Sequence, residues 1–362
     1  MPRVIGVDPG TISLDVCGLE DGRVFLDRSL PTRDALANPA AFVALLELAG
    51  PLDLVAGPSG YGLPLMAARD LTDNDLRLAY LAAEGEAGGI GGIRTLMRAL
   101  ARSSLPVVLT PGVVHLPSVP EHRKVNRVDM GTADKLCAAV LALRQASAED
   151  GTPASDTSCF LLELGGAFSA AIAIQDGRIV DGAGGTSGSL GLRAAGALDG
   201  EVAFLAGEVS KDLLFGGGAL TVAGLGDAPA AALASSASPR ARMAWDAYLE
   251  GAARMVASLA VAAPRARKVL VSGRVAALPE VRPRLTALLS GVVHDVSVTP
   301  LHGFADAATH AAQGAALLAD GLCGGTAAPL VDALGIRDAR GTVLDHLYVI
   351  TPEAARRRLG LT

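Results

Sequence analysis

The sequence predicts an α/β protein made of two βββαβαβα units that face each other across a cleft. The first observation behind this is a repeated spacing. Asp8-Pro9-Gly10-Thr11 is followed, thirteen residues after its acid, by Asp21-Gly22-Arg23-Val24. Glu163-Leu164-Gly165-Gly166 is followed at the same interval by Asp176-Gly177-Arg178-Ile179. The second observation is what surrounds each acid: it ends an apolar run, a glycine-bearing turn comes next, and a second apolar run leads to the Asp-Gly pair and a third run. Asp-Gly favours a two-residue hairpin, because that turn needs positive φ at both central positions. Each copy therefore reads as a three-stranded antiparallel meander.

The first turn of each copy is different in kind. Its glycines leave backbone N–H groups uncovered, so an anion can approach closely. Two such turns, each beside a carboxylate, can hold a polyphosphate and its Mg²⁺ between the lobes. A single glycine hairpin after an acidic strand end is an ordinary turn. Two copies at matched spacing favour a duplicated nucleotide-binding architecture.

The elements follow in order. Residues 39–49 read as a helix and 52–56 as a strand that ends in the turn Gly57-Pro58-Ser59-Gly60-Tyr61-Gly62. Helices are expected over 73–83 and 93–102, separated by a glycine-rich flexible loop, 85–92. A buried strand, 107–110, and a proline-punctuated connection, 111–120, precede the densest polar stretch of the chain, 121–135. That stretch leads into a helix over 132–145. It is either a solvated loop with a capped helix start or a basic, substrate-facing loop with Asp129 or Asp134 at the helix N-terminus. The polar stretch 148–156 marks the domain boundary, giving an N-terminal unit, 1–150, and a C-terminal unit, 151–362, whose last helix is expected to pack back on the N-terminal lobe.

Six glycines crowd the loop between Asp181 and Gly200, which suits a ligand approaching the backbone or a disordered segment. Helices are expected over 203–214 and 240–262. The strand 269–271, the turn Ser272-Gly273-Arg274 and a helix over 279–289 would set backbone against a nucleoside. The alanine- and glycine-rich helix 306–320 could cross the 132–145 helix closely and let the two units pivot.

Composition narrows the function. The chain has 362 residues, enough for two domains with sizeable cores, with 50% hydrophobic and only 3% aromatic residues. No apolar stretch is long enough to span a membrane, and the N-terminus enters a strand at once, so a cytoplasmic protein is expected. Cys17, Cys137, Cys159 and Cys323 lie far apart in apolar segments and read as buried, reduced thiols. The six histidines suggest no metal site, and His310 reads as a packed residue. The net charge is −6, and 27 Arg stand against four Lys, so no nucleic-acid partner is expected. No Gly-Lys-Ser/Thr occurs, which excludes a P-loop.

Five segments also fall in the order of the five motifs of the sugar-kinase, actin and chaperone ATPase superfamily, whose actin-like ATPase (ribonuclease H-like) fold the chain resembles. Gly6-Val7-Asp8-Pro9-Gly10-Thr11 is similar to its first phosphate motif, 129–143 to its first connecting helix, and Leu162-Glu163-Leu164-Gly165-Gly166 to its second phosphate motif. Val271-Ser272-Gly273-Arg274 resembles the adenosine motif, and 305–321 the second connecting helix. The likeness is closer still to prokaryotic proteins described as predicted butyrate kinases. The segments that carry it are 56–62, His122-Arg123-Lys124-Val125-Asn126, 129–135 and 179–186. Gly6-Val7-Asp8-Pro9-Gly10-Thr11 looks as well like the first strand of junction resolvases, but those enzymes carry a basic surface that this acidic chain lacks.

The resemblance implies ATP and Mg²⁺ as cofactors and a small carboxylate as phosphoryl acceptor. A nucleotide-binding sensor on the same fold is the alternative, and a homodimer is compatible with either. Asp8 would hold Mg²⁺ through water, with Glu163 the second acid. Gly10, Thr11 and Ser13 would contact the terminal phosphates. Gly165, Gly166 and Ser169 would cradle the inner ones, and Gly273 and Arg274 would lie by the adenosine. Glu163 departs from the usual Asp by one methylene, and one glycine stands in the adenosine motif where many relatives have two. A carboxylate acceptor is already a nucleophile and needs mainly cationic clamping. Arg193 is the first candidate for the clamp, with Lys124 and Arg127 behind it.

Overall fold

The computed structural model describes residues 2–83, 85–86 and 92–361; of the glycine-rich loop 85–92, residues 87–91 lie outside the described residues. Two sheets form the frame. The first contains β1 (Arg3–Pro9), β2 (Ser13–Glu20), β3 (Arg23–Pro31), β4 (Leu54–Gly57), β5 (Met66–Ala67) and β6 (Val107–Leu109), in the order β3-β2-β1-β4-β6-β5. The second contains β7 (Cys159–Leu164), β8 (Ser169–Gln175), β9 (Arg178–Ala183), β10 (Lys268–Ser272) and β11 (Ser297–Pro300), in the order β11-β10-β7-β8-β9. Apart from the short antiparallel edge strand β5, the two orders are the same. In each, a meander supplies three strands and two parallel strands extend the sheet beyond the first.

The duplication reaches single residues. Asp8 pairs with Asp15 and Glu163 with Ala170, at matching offsets. A register shift between Gly18 and Leu19 is repeated between Ala173 and Ile174, again at the same distance from the acid. Both hairpins close on left-handed Asp-Gly turns, with φ of 54° and 72° at Asp21 and Gly22 and 51° and 71° at Asp176 and Gly177. These are the signs that an Asp-Gly two-residue turn requires.

Alternation along β7 sorts its side chains between two cores. Phe160, Leu162 and Leu164 face the helices Pro239–Leu259 and Val281–Leu289 on the outer side of the second sheet. Cys159 and Leu161 face inward, toward the helix Ala133–Asp150. Each large apolar side chain so buried contributes about 1.5–3 kcal/mol. The helix His310–Leu322 comes from the second half of the chain yet lies on β1, where a side chain at Gly6 would collide with the backbone of Ala312 and Ala316. It crosses the Ala133–Asp150 helix at Gly314, whose hydrogen faces the carbonyl of Cys137 with no room for a methyl group. The two helices thus join the sheets at the floor of the cleft.

The last helix, Pro352–Arg358, is held by first-half residues: Arg358 lies 2.7 Å from Glu86, and Arg77 donates to the Gly360 carbonyl. Two expectations need correction. The single helix over 203–214 is two short ones, Gly200–Ala206 and Lys211–Phe215, because Gly207 turns the chain with φ 71°. Cys323 is exposed, unlike Cys17, Cys137 and Cys159, since it sits at the C-terminal cap past the packed face of its helix. Among the described residues no helix is long and apolar enough to cross a membrane.

Candidate functional site

A cavity of about 610 Å³ opens where the C-terminal ends of β1 and β7 approach each other. The two glycine turns form facing walls, with Gly10 and Thr11 on one and Gly165 and Gly166 on the other. The turns have the same build. A Cβ at Gly10 would fall 2.9 Å from the carbonyl oxygen of Ser13, and one at Gly165 would fall 2.9 Å from that of Phe168. The N–H of Gly165 donates to the Phe168 carbonyl at 3.0 Å, and Thr32 Oγ1 donates to the Gly10 carbonyl at 2.7 Å. Ser272, Gly273 and Arg274, after β10, line the same cavity.

Five acids and one lysine set its electrostatics. Asp8 is buried, and its Oδ2 accepts a hydrogen bond of 2.7 Å from Thr309 Oγ1. Burial first, and then repulsion from Asp134, raises its pKa to about 7. Lys135 Nζ stands 2.5 Å from Glu163 Oε1 and 2.8 Å from Asp134 Oδ2. Burial alone would lower the Lys135 pKa, but the two carboxylates outweigh it and keep the ammonium charged. Asp15 takes a bond from Ser13 Oγ at 2.7 Å on one oxygen, while its other oxygen is buried with no partner among the described residues. Asp129 Oδ2 accepts from the N–H of Thr186 at 2.8 Å and from its hydroxyl at 3.0 Å, which ties down the glycine-rich loop after β9. Burial raises the Asp129 pKa.

Asp8, Gly10, Thr11, Ser13, Glu163, Gly165, Gly166, Gly273 and Arg274 all come together around this cavity. Ser169 does not: it is fully buried in β8, paired with Leu164 and beside Tyr248. The three cations expected at a clamp are also engaged elsewhere. Arg193 Nη1 lies 3.7 Å from Asp227, and it is the Arg193 backbone that serves the site, donating to the Ala167 carbonyl at 3.0 Å and bracing the second turn. Lys124 is buried, with Nζ donating to the Leu116 carbonyl at 2.9 Å. Arg127 donates to Asp181 at 3.0 Å and to the Gly182 carbonyl.

Sequence reasoning missed Lys135, the lysine that the cavity does contain. Its signal was a lysine after an acid at the start of the first connecting helix, in a chain with only four lysines. His310 also lies on the cavity wall, with Nδ1 2.7 Å from Ser272 Oγ, and burial lowers its pKa.

The donor set suits one hard divalent cation that keeps most of its waters. No group of three or more His, Cys, Asp or Glu forms a complete metal cage among the described residues. Mg²⁺ is ordinarily held by one or two carboxylates together with substrate phosphates. Asp8 and the unpartnered oxygen of Asp15 offer that chemistry, whereas Glu163 is already neutralised by Lys135.

Fold and cavity together define a two-sheet α/β protein with the actin-like ATPase fold. The chain aligns with a propionate kinase from Francisella tularensis subsp. tularensis SCHU S4 at TM-score 0.61 and 13% identity, covering 87% of this chain and 99% of that one. It aligns with the acetate kinase of Porphyromonas gingivalis at TM-score 0.60 and 14% identity, covering 87% and 98%. The acetate kinase of Entamoeba histolytica gives TM-score 0.56 and 15% identity over 80% and 87%. The chain belongs to the family described as protein of unknown function DUF1464, whose model matches residues 6–349. No curated protein sequence matches it.

Proposed function

We propose that this protein is an ATP- and Mg²⁺-dependent phosphotransferase whose acceptor is a small carboxylate, in the manner of a butyrate kinase. The observation that carries this reading is the pair of equivalent glycine turns, at Gly10 and at Gly165, on opposite walls of one cavity, with Asp8 at its base. Backbone N–H groups of the two turns would bind the phosphates, and Gly273 would lie against the nucleoside. Asp8, with Asp15 behind it, would hold Mg²⁺, which neutralises charge on the transferring phosphoryl group when bound. Lys135 would fix the Glu163 carboxylate and hold positive charge near the phosphate path. The acceptor carboxylate attacks without a general base, which is consistent with a cavity whose second acid is already paired.

The direct test incubates the purified protein with ATP, Mg²⁺, hydroxylamine and a panel of short-chain acids. Acyl hydroxamate is the expected product, and it should fall at least about a hundredfold in Asp8→Asn. A null result across the panel removes the carboxylate acceptor. Tight ATP binding with no turnover would favour a nucleotide sensor.

A further inference from the structure

Beyond the phosphate turns the cavity becomes apolar. Pro58, Tyr61, Tyr80 and Ile93 from the first half face Phe168 and Phe215 from the second. The Tyr80 hydroxyl is taken up by the Met97 sulfur at 2.7 Å, so its ring is what remains for a ligand. Phe168 and Phe215 meet edge to face at 5.4 Å, which fixes the opposite wall. This wall is apolar and aromatic, and the same cavity holds the carboxylates of Asp8, Asp129, Asp134 and Glu163. An anionic acceptor entering such a place needs a cation that is not already neutralised.

Lys211 stands beside that wall, over two of the rings that line it. It opens the short helix Lys211–Phe215, from which no residue is buried in either core, and its ammonium stands 5.2 Å from the Tyr61 ring centre and 5.9 Å from that of Phe215. Among the described residues it makes no ion pair and no hydrogen bond. Asp129 and Glu86 act on it only from a distance. Lys135, Arg127 and Arg193, by contrast, each have a carboxylate partner, and Arg274, which has none among the described residues, lies after β10 on the wall that the proposed function gives to the nucleoside. Cations over aromatic rings hold position at modest cost and remain free to accept an anion on their open side. Partial burial beside the rings also lowers the Lys211 pKa, as expected for a charge that lacks a counter-ion.

We infer that Lys211 is the acceptor-recognition residue, reading the carboxylate of an acid whose carbon body of four or more carbons packs between Tyr80, Ile93 and Phe215. This inference builds on the carboxylate-kinase reading and narrows it to larger, apolar acids.

The test is calorimetric binding to the full chain with Mg²⁺ and a non-hydrolysable ATP analogue, using acetate, butyrate, 3-phenylpropionate and the amides of the last two as probes. Butyrate and 3-phenylpropionate should bind at least about tenfold tighter than acetate and than their own amides. Lys211→Gln should lose that preference for acid over amide, and Lys211→Arg should keep most of it, with thermal unfolding checking that both variants are folded. Equal binding of acids by wild type and Lys211→Gln overturns the assignment of Lys211 and leaves the kinase reading standing. If the ATP analogue binds but none of the acids do, the carboxylate acceptor and the role of Lys211 fall together.

Discussion

Lys135 Nζ lies 2.5 Å from Glu163 Oε1, so the first turn of one connecting helix is bonded to the end of the central strand of the other sheet. The pair is mostly withdrawn from water, with 19% and 14% of the side-chain surfaces exposed. Removing the lysine alone would strand Asp134 and Glu163 beside Asp8. Lys135→Met should therefore destabilise the protein by about 3 kcal/mol, and adding Glu163→Gln should recover part of that loss. Urea unfolding of the two variants checks both statements, and a second substitution that made matters worse would contradict them.

Gly166 separates binding from folding. A Cβ there meets no other residue within 4 Å, yet the residue lines the cavity. Gly166→Ala should leave the melting temperature unchanged and weaken ATP affinity by about tenfold, or ~1.4 kcal/mol. Fluorescence titration with a labelled ATP analogue reads the second effect. An unchanged affinity would place the phosphates elsewhere.

Stability should respond to acid through His115. Its ring is buried, with Nδ1 3.1 Å from the Gly341 carbonyl, and burial holds its pKa below the ordinary value of 6.5. The unfolded chain therefore takes up a proton that the folded ring resists. The His115 contribution to stability is complete above pH 6.5 and is lost as pH falls toward the folded-state value. His310 is shifted in the same direction and adds to the slope. His115→Gln should flatten the fall in unfolding free energy below pH 6.5 relative to wild type, measured by denaturant titration at several pH values.

Gly314 is where the connecting helices touch. Even a methyl group would run into the Cys137 carbonyl, so Gly314→Ala should cost about 1–3 kcal/mol and Gly314→Val more. Denaturant midpoints test this. A neutral Gly314→Ala would mean that the crossing can open without loss.

The frame was legible because its signals are local. Acid, glycine turn and Asp-Gly hairpin all fall within one meander, and the same order appears twice, so strands, turns and cavity walls could be placed from spacing alone. Helix ends were less legible: the 203–214 segment is split by a single left-handed glycine, which periodicity does not register. The cations were the least legible. Arg193, Lys124 and Arg127 sit in promising stretches, but their partners Asp227, Leu116 and Asp181 are chosen by tertiary packing. The same holds for Lys135, which finds Glu163 across 28 positions, and for Thr309, which reaches Asp8 across 301. Contacts of that span leave no periodic trace in a single sequence.

The exchange of connecting helices also bears on synthesis. The face of the first sheet against β1 is covered by His310–Leu322, which is synthesised only after the strands of both sheets. Until then a nascent chain carries an uncovered apolar surface of Val4, Cys17, Leu19 and their neighbours, the kind of surface that recruits chaperones. Truncation before residue 310 should thus yield an insoluble fragment and not a working half.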